Sequence, residues 1–465
     1  MTVSNADPIQ MRVYDAVLAQ RKNVFVTGKA GTGKSTIIRE IISQMTSRNV
    51  NIAVTASTGI AARNLNGSTF HKFLGCGMAL EPAQKLLEKL VRYRRRGADA
   101  LKRWKSVEVL IIDEISMIDA DLLSKAEELA RLIRRSNKPF GGIQVVLVGD
   151  LYQLGPVQSF KSPPVKWCFE SPVWSTLVDE TIELEHVFRQ SDAELIDILS
   201  RIRIGHINDD VIKFMKSLEH SVFPDDGITP TLLVSTNDEA ASENTQRTAA
   251  IQGHSVVSEA LDCGIMKDEI DKHCITPKTI VLKRGSQVML TQNINDHLVN
   301  GSRGVIVGFS LDSVLVKFTC GTTERIKKTI WTLEMLKQIA DEHITHPKLP
   351  SEITAAKILA DELKTYGIKA DPNTATIITA SRRQYPLVLA WAITIHKSQG
   401  QSIDRLSVNL SRTFAAGQVY TALSRATSQK TLKVTGFHPI RVKVDEKVHT
   451  FYTGFVKISP KVLFY

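Results

Sequence analysis

The stretch NVFVTGKAGTGKSTIIREII, Asn23 to Ile42, constrains this chain more than any other. A short β-rich run leads into Gly28 to Ser35, spaced G-x-x-x-x-G-K-S, and apolar residues then recur at three- and four-residue steps, as on one face of a helix. Strand, glycine loop and helix in that order gather backbone N–H groups around a phosphate. Gly28, Gly31 and Gly33 let the loop curl, Lys34 brings a point charge to the β and γ phosphates, and Ser35 is a magnesium ligand by type. Thr36 completes the expected contacts, so the expected ligands are ATP and Mg²⁺. The competing reading is a chance glycine-rich turn.

Such a P-loop NTPase needs carboxylates on a neighbouring strand. VEVLIIDEISMID supplies them: Val109 to Asp113 is an aliphatic run suited to a buried parallel strand, with Asp113 and Glu114 at its carboxyl end. Asp113 would hold magnesium through water, and Glu114 would orient or deprotonate the attacking water. QVVLVGDLYQLGPV is a third such strand, ending at Gly149 and Asp150, and Gln153 just beyond it is expected to sense the γ phosphate. A surface acidic pair and a solvated glutamine are the bland alternatives.

The chain has 465 residues and 51.6 kDa, enough for two to four domains. A net charge of +11 and a pI near 9.3 favour a polyanionic partner, and alone do not separate nucleic acid from a membrane surface. The five cysteines (Cys76, Cys168, Cys263, Cys274, Cys320) form no C-x-x-C and read as reduced thiols; Cys263, His273 and Cys274 match no zinc spacing. With no targeting signal and no apolar run near the roughly 20 residues of a membrane span, the expectation is a soluble intracellular protein.

AVTASTGIAARNLNGSTFHKFLG, Ala53 to Gly75, puts Thr55, Ser57, Phe70 and His71 at strand tips, where such residues suit sugar-phosphate and stacked bases of a single strand. An ordinary capping loop is the alternative. Together with GKAGTGKS, DEIS and GDLYQLGPV, these segments resemble the superfamily 1 helicases, and NKPFGGIQVVLVGDLYQLGPV is similar to the PIF-type family of group B. ADLLSKAEELARLIRRS has the position of that family's signature segment; LEHVFRQ, LLVSTNDEAASENTQR, GSQVMLTQN, LVNGSRGVIVGF, YPLVLAWAITIHKSQGQSID and GQVYTALSRAT follow in family order, from about residue 10 to 436.

The resemblance implies an α/β fold of two RecA-like P-loop motor domains, 1–180 and 181–465. It implies a small basic wedge-like insertion at 76–106 and an SH3-like β-barrel insertion at about 290–376. A helical stretch at 332–372 departs from the family, and the tail after Phe437 has β-type composition. Arg189 and Arg425 would reach the γ phosphate, and Gln10 would read adenine. His396, Lys397, Ser398 and Asn237 would touch DNA, while Gln399 and Gly400 couple that grip to the nucleotide. The implied protein is an ATP-dependent DNA helicase moving 5′ to 3′ on single-stranded DNA and opening tailed or forked duplexes, as a monomer in solution. Nuclear or mitochondrial action, or a host-cell replication site, would follow from its origin. Three rivals stand: a RecD-like recombination-complex subunit, against which KPFGGIQ argues; an ATP-dependent DNA-binding switch that does not unwind; and a basic binding module with a vestigial ATPase.

Overall fold

A computed structural model describes residues 7–454 except 78, 93–95, 157–163, 224–228, 265–269, 275, 293, 296–297, 299–300 and 335–377. Its first sheet holds β1 (Val24–Gly28), β2 (Ile52–Ala56), β3 (Ser68–Thr69), β4 (Val109–Asp113), β5 (Gln144–Val148) and β6 (Glu180–Leu184). They lie in the order β3-β2-β4-β5-β1-β6, all parallel. Every residue of β1, β4 and β5 is buried, as helices on both faces of a parallel sheet require. Their carboxyl ends therefore bring the glycine loop, Asp113–Glu114 and Gly149–Asp150 side by side. The expected domain boundary at 180 falls too early, because Glu180–Leu184 pairs along the whole of β1 and completes this sheet.

Within 76–106, helices Ala83–Arg92 and Arg96–Ser106 turn Leu86, Leu90, Ala100 and Trp104 into the core against helix Ala120–Arg134. That face is structural; residues 93–95 of the expected wedge lie outside the described residues. The family-diagnostic KPFGG turn has a packing reason. Phe140 is buried at φ 48°, and a Cβ on Gly141 would stand 2.7 Å from the Ala130 carbonyl oxygen.

Strands continue as β7 (Thr231–Val234), β8 (Ser255–Glu259), β9 (Leu261–Cys263), β10 (Thr279–Lys283), β11 (Gln287–Leu290), β12 (Arg303–Phe309), β13 (Ser313–Phe318), β14 (Thr323–Lys327), β15 (Thr329–Glu334), β16 (Ile378–Gln384), β17 (Leu387–Leu389), β18 (Ala392–Thr394), β19 (Leu406–Asn409) and β20 (Leu432–Thr435). The second lobe is the parallel sheet β18-β7-β19-β20. Between its strands sits the antiparallel sheet β14-β13-β12-β11-β17, with its own core of Val288, Ile306, Val314, Val316, Phe318 and Leu387. This is the expected small β domain, although it draws on β11 and β17, on either side of the expected 290–376. The helical stretch expected at 332–372 lies outside the described residues from 335 on.

Of the tail read as β-type, the described part forms the helix Glu446–Thr453, started by the Asp445 carboxylate accepting from Lys447 N–H, and residues 455–465 lie outside the described residues. This helix docks on the first lobe, which corrects the assignment of everything to 465 to the second. Phe451 stacks on Phe169 (4.3 Å) and meets Trp174 edge-on (5.7 Å). The Tyr452 hydroxyl pairs with Thr27 of β1 at 2.5 Å and accepts from Leu151 N–H at 3.2 Å. Among the described residues, no helix is long and apolar enough to cross a membrane.

Candidate nucleotide and strand site

The glycine loop is built against the strand beside it and the segment that follows. A Cβ on Gly28 (φ 139°) would lie 2.4 Å from the Leu184 carbonyl oxygen, and one on Gly31 (φ 85°) 2.6 Å from Arg189 Cβ. Gly33 (φ 83°) starts helix Lys34–Ser47; its Cβ position faces the Phe188 ring at 3.5 Å and the Gln10 amide at 3.8 Å. Gln10 thus stands at the mouth of the loop. Lys34 Nζ donates to the carbonyls of Gly28 (2.7 Å) and Lys29 (2.8 Å). Burial lowers its pKa to about 8, opposed by the charges of Asp150 and Glu114. Ser35 is half-buried and Thr36 exposed at the start of the same helix.

Asp113 is buried at the tip of β4, with Oδ1 accepting from Glu114 N–H at 2.9 Å. Burial, then the neighbouring Glu114, holds its carboxyl above the usual carboxylate range. Glu114 takes a left-handed backbone (φ 51°, ψ 46°), strain of the kind found at functional strand tips. Its Oε2 accepts from Gln399 Nε2 at 3.0 Å, and the Gly400 Cβ position is 3.5 Å from Oε1. The HKSQG segment therefore touches the candidate hydrolytic carboxylate directly.

Both arginines reach this cleft. Arg189 Nη1 donates to the Ser424 carbonyl at 2.9 Å. Arg425, fully buried, donates from Nη2 to Gln153 Oε1 (3.2 Å), from Nε to the Thr421 carbonyl (2.9 Å) and from Nη1 to the Gln401 carbonyl (3.4 Å). Burial and then Arg425 disfavour the Arg189 charge, while burial disfavours that of Arg425, so an anion entering here relieves both.

Some groups escaped the sequence reading. Asp150 pairs with Arg203 (Nη2–Oδ1 2.9 Å), both buried, and the Arg203 guanidinium lies over Tyr152 (4.5 Å) and Tyr452 (5.1 Å). Tyr420 accepts from Ala30 N–H of the loop at 2.9 Å. Asp150 had a signal in its place at a strand tip; Arg203, Tyr420 and Tyr452 had none within their own segments.

The expected strand contacts divide. Thr55 is buried with its hydroxyl donating to the Ile111 carbonyl (2.7 Å), Phe70 is core, and Ser398 is buried with its hydroxyl on the Ile395 carbonyl (2.8 Å). These three are spent inside the fold and are withdrawn as DNA contacts. Lys397 and Asn237 are exposed, His71 and His396 half-buried with pKa values lowered chiefly by burial. Ser57 is half-buried with a hydroxyl that has no partner. No disulfide joins the five cysteines, and among the described residues no three His, Cys, Asp or Glu group as metal ligands.

Two parallel-sheet lobes facing each other over a phosphate loop, with arginines converging on the cleft, define the class of two-lobed RecA-like P-loop proteins. The PIF1-like helicase family matches residues 4–212, and the DNA helicase Pif1 2B domain matches residues 266–309. A solved Pif1 helicase from Candida albicans is 34% identical, with a TM-score of 0.79 over 96% of this chain and 99% of that one. The ATP-dependent DNA helicase PIF1 of Emericella nidulans is 38% identical over 97% of this chain, which spans 63% of that relative's length. A Pif1 helicase from Bacteroides, solved with ADP-AlF3 and single-stranded DNA, is 25% identical, with a TM-score of 0.64 over 96% of each chain. The chain belongs to the PIF1-like helicase family.

Proposed function

We propose that the chain is an ATP-driven motor that travels 5′ to 3′ on single-stranded DNA and opens tailed or forked duplexes in replication, repair or recombination. The observation that carries this reading is the hydrogen bond from Gln399 to Glu114. It links the HKSQG segment, whose Lys397 is exposed, to the carboxylate best sited to activate water. A change of strand grip is thereby felt at the hydrolytic group, the coupling a motor needs and a passive binder does not. The Bacteroides relative carries single-stranded DNA, in agreement.

In this reading Gln10 and Phe188 border the base, and the loop N–H groups with Lys34 hold the phosphates. Ser35 and Asp113 suit a magnesium ion that takes most of its oxygen shell from phosphates and water. Held there by Ser35 and Asp113, such an ion would supply positive charge to the γ phosphate. Glu114 orients the attacking water, Gln153 senses the phosphate, and Arg189 and Arg425 meet transition-state charge when the cleft is shut. Ser57, His71, Asn237, His396 and Lys397 are the proposed strand contacts. One chain supplies every part, which supports a monomer in solution.

The test is strand separation on 5′- and 3′-tailed duplexes alongside DNA-stimulated ATP hydrolysis. The 5′-tailed substrate is expected to be opened, and Gln399→Ala to lower DNA stimulation while single-strand binding persists. Hydrolysis stimulated by DNA without any unwinding would replace the motor by the switch.

A further inference from the structure

At the junction of the first lobe, the second lobe and the small β domain lies a cavity of about 530 Å³, which Gly400 borders and whose arginines have no role above. Arg39 and Asn64 wall it from the first lobe, Gln401, Asp404 and Arg405 from the second, and Arg303 from the start of β12. Among these described lining residues three are arginines and one is a carboxylate.

Arg303 is 8% exposed, yet its Nε and Nη2 are buried without an acceptor. Among the described residues Asp404 is the charge that offsets it, and it accepts from neither of these nitrogens. Gln401, also 8% exposed, has neither its amide nitrogen nor its amide oxygen paired. Gln287 in the same wall is satisfied by Thr229 (2.9 Å) and the Ala390 carbonyl (3.1 Å), so the deficit is confined to Arg303 and Gln401. A buried guanidinium edge without acceptors forfeits the full cost of its desolvation unless something enters to accept from it. Nε and Nη2 form one edge of the guanidinium, a fork of two parallel N–H donors that matches two oxygens of a phosphate.

We propose that this junction is a second anion site, in which the Arg303 fork and the Gln401 amide bind a phosphate group, from either a free phosphate ester or a polynucleotide backbone. Arg39 in the same wall adds charge. The site shares a wall with the hydrolytic cleft: the Gln401 carbonyl accepts from Arg425 (3.4 Å), and the Gly400 Cβ position is 3.5 Å from Glu114 Oε1. Occupancy therefore bears on the position of Arg425, a consequence that rests on the proposed function, whereas binding does not.

The experiment titrates inorganic phosphate into the full chain, with the P-loop saturated by a non-hydrolysable ATP analogue and magnesium and ionic strength held with acetate. Thermal midpoint is the readout. The wild type is expected to show a saturable rise. Arg303→Met should need about tenfold or more phosphate for the same rise, and Arg303→Lys should recover part of it. Without phosphate, Arg303→Met should be no less stable than wild type, since it removes an unpaired buried charge. An oligo-dT strand that abolishes the phosphate response assigns the bound group to the strand backbone; an additive response assigns it to a free ester. The proposal is overturned by an absent wild-type response, by an equal response to acetate or in Arg303→Met, or by instability of Arg303→Met without phosphate. DNA-stimulated hydrolysis, measured on the same preparations, reports failure of the motor reading separately.

Discussion

Replacing Arg203 by methionine should unfold the first lobe early, by an amount set by what is left behind. Asp150 is 0% exposed and receives three contacts from Arg203, Nε to both carboxylate oxygens at 3.2 Å and Nη2 to Oδ1 at 2.9 Å. In Arg203→Met the carboxylate keeps one donor in its own turn, Tyr152 N–H at 3.2 Å, and no hydrogen-bonded cation, with Lys34 and Arg425 acting on it only through space. An abandoned buried charge of this kind costs about 3–5 kcal/mol. Loss of the guanidinium over the Tyr152 and Tyr452 rings adds to this, while the methionine stem preserves most of the packing. For a unit of about 150–250 residues each kcal/mol moves the midpoint by about 2–4 °C, so the first thermal transition should fall by about 6–20 °C. Adding Asp150→Asn should restore a good part, because the stranded charge is gone. A first transition lowered by less than about 2 °C, or a double variant as unstable as the sum of the single changes, would refute the argument.

Glu114→Gln should retain nucleotide and DNA binding and lose ATP turnover; persisting hydrolysis in a stopped assay would remove Glu114 from its role. The free-state pKa of Lys34, about 8, lies below its unfolded value of 10.5. The folded chain thus holds fewer protons between those values, and ATP phosphates that restore the charge must draw a proton in. ATP affinity should accordingly be flat below pH 8 and weaken above it, with proton uptake measured by calorimetry in two buffers of different ionisation enthalpy; pH-independent affinity across that window would contradict it. Gly28→Ala should abolish nucleotide binding in a filter assay, because its Cβ would stand 2.4 Å from the Leu184 oxygen at a φ of 139°. Single-strand binding should fall with salt at roughly −0.7 per phosphate contact, and a flat salt response would argue against contacts by Lys397 and its neighbours.

What could be read from the sequence was whatever depends on local order. Gly28 to Ser35, Asp113–Glu114 and Gln153 each lie within a few residues of an aliphatic strand, and the strand fixes where they end up. Thr55, Phe70 and Ser398 carry the right chemistry for a strand-tip contact. Whether such a side chain turns outward or into the sheet is decided by the layer packed against it, which the segment does not contain. The Asp150–Arg203 pair joins residues 53 apart, and the Thr27–Tyr452 contact joins residues 425 apart. Neither partner marks the other. The terminal segment misled for a related reason: its aromatic and β-branched residues suit a strand, and here they serve as one face of a helix that finds Phe169 and Trp174.

The docking of helix Glu446–Thr453 on the first lobe means that the polypeptide bridges the cleft twice, once after β6 and again between β20 and that helix. A door hung on one pin can swing, tilt and twist; hung on two, it turns about the line between them. The second bridge ends on Thr27 and Leu151, beside the phosphate loop and Asp150, so any pull transmitted along it arrives where the nucleotide would sit.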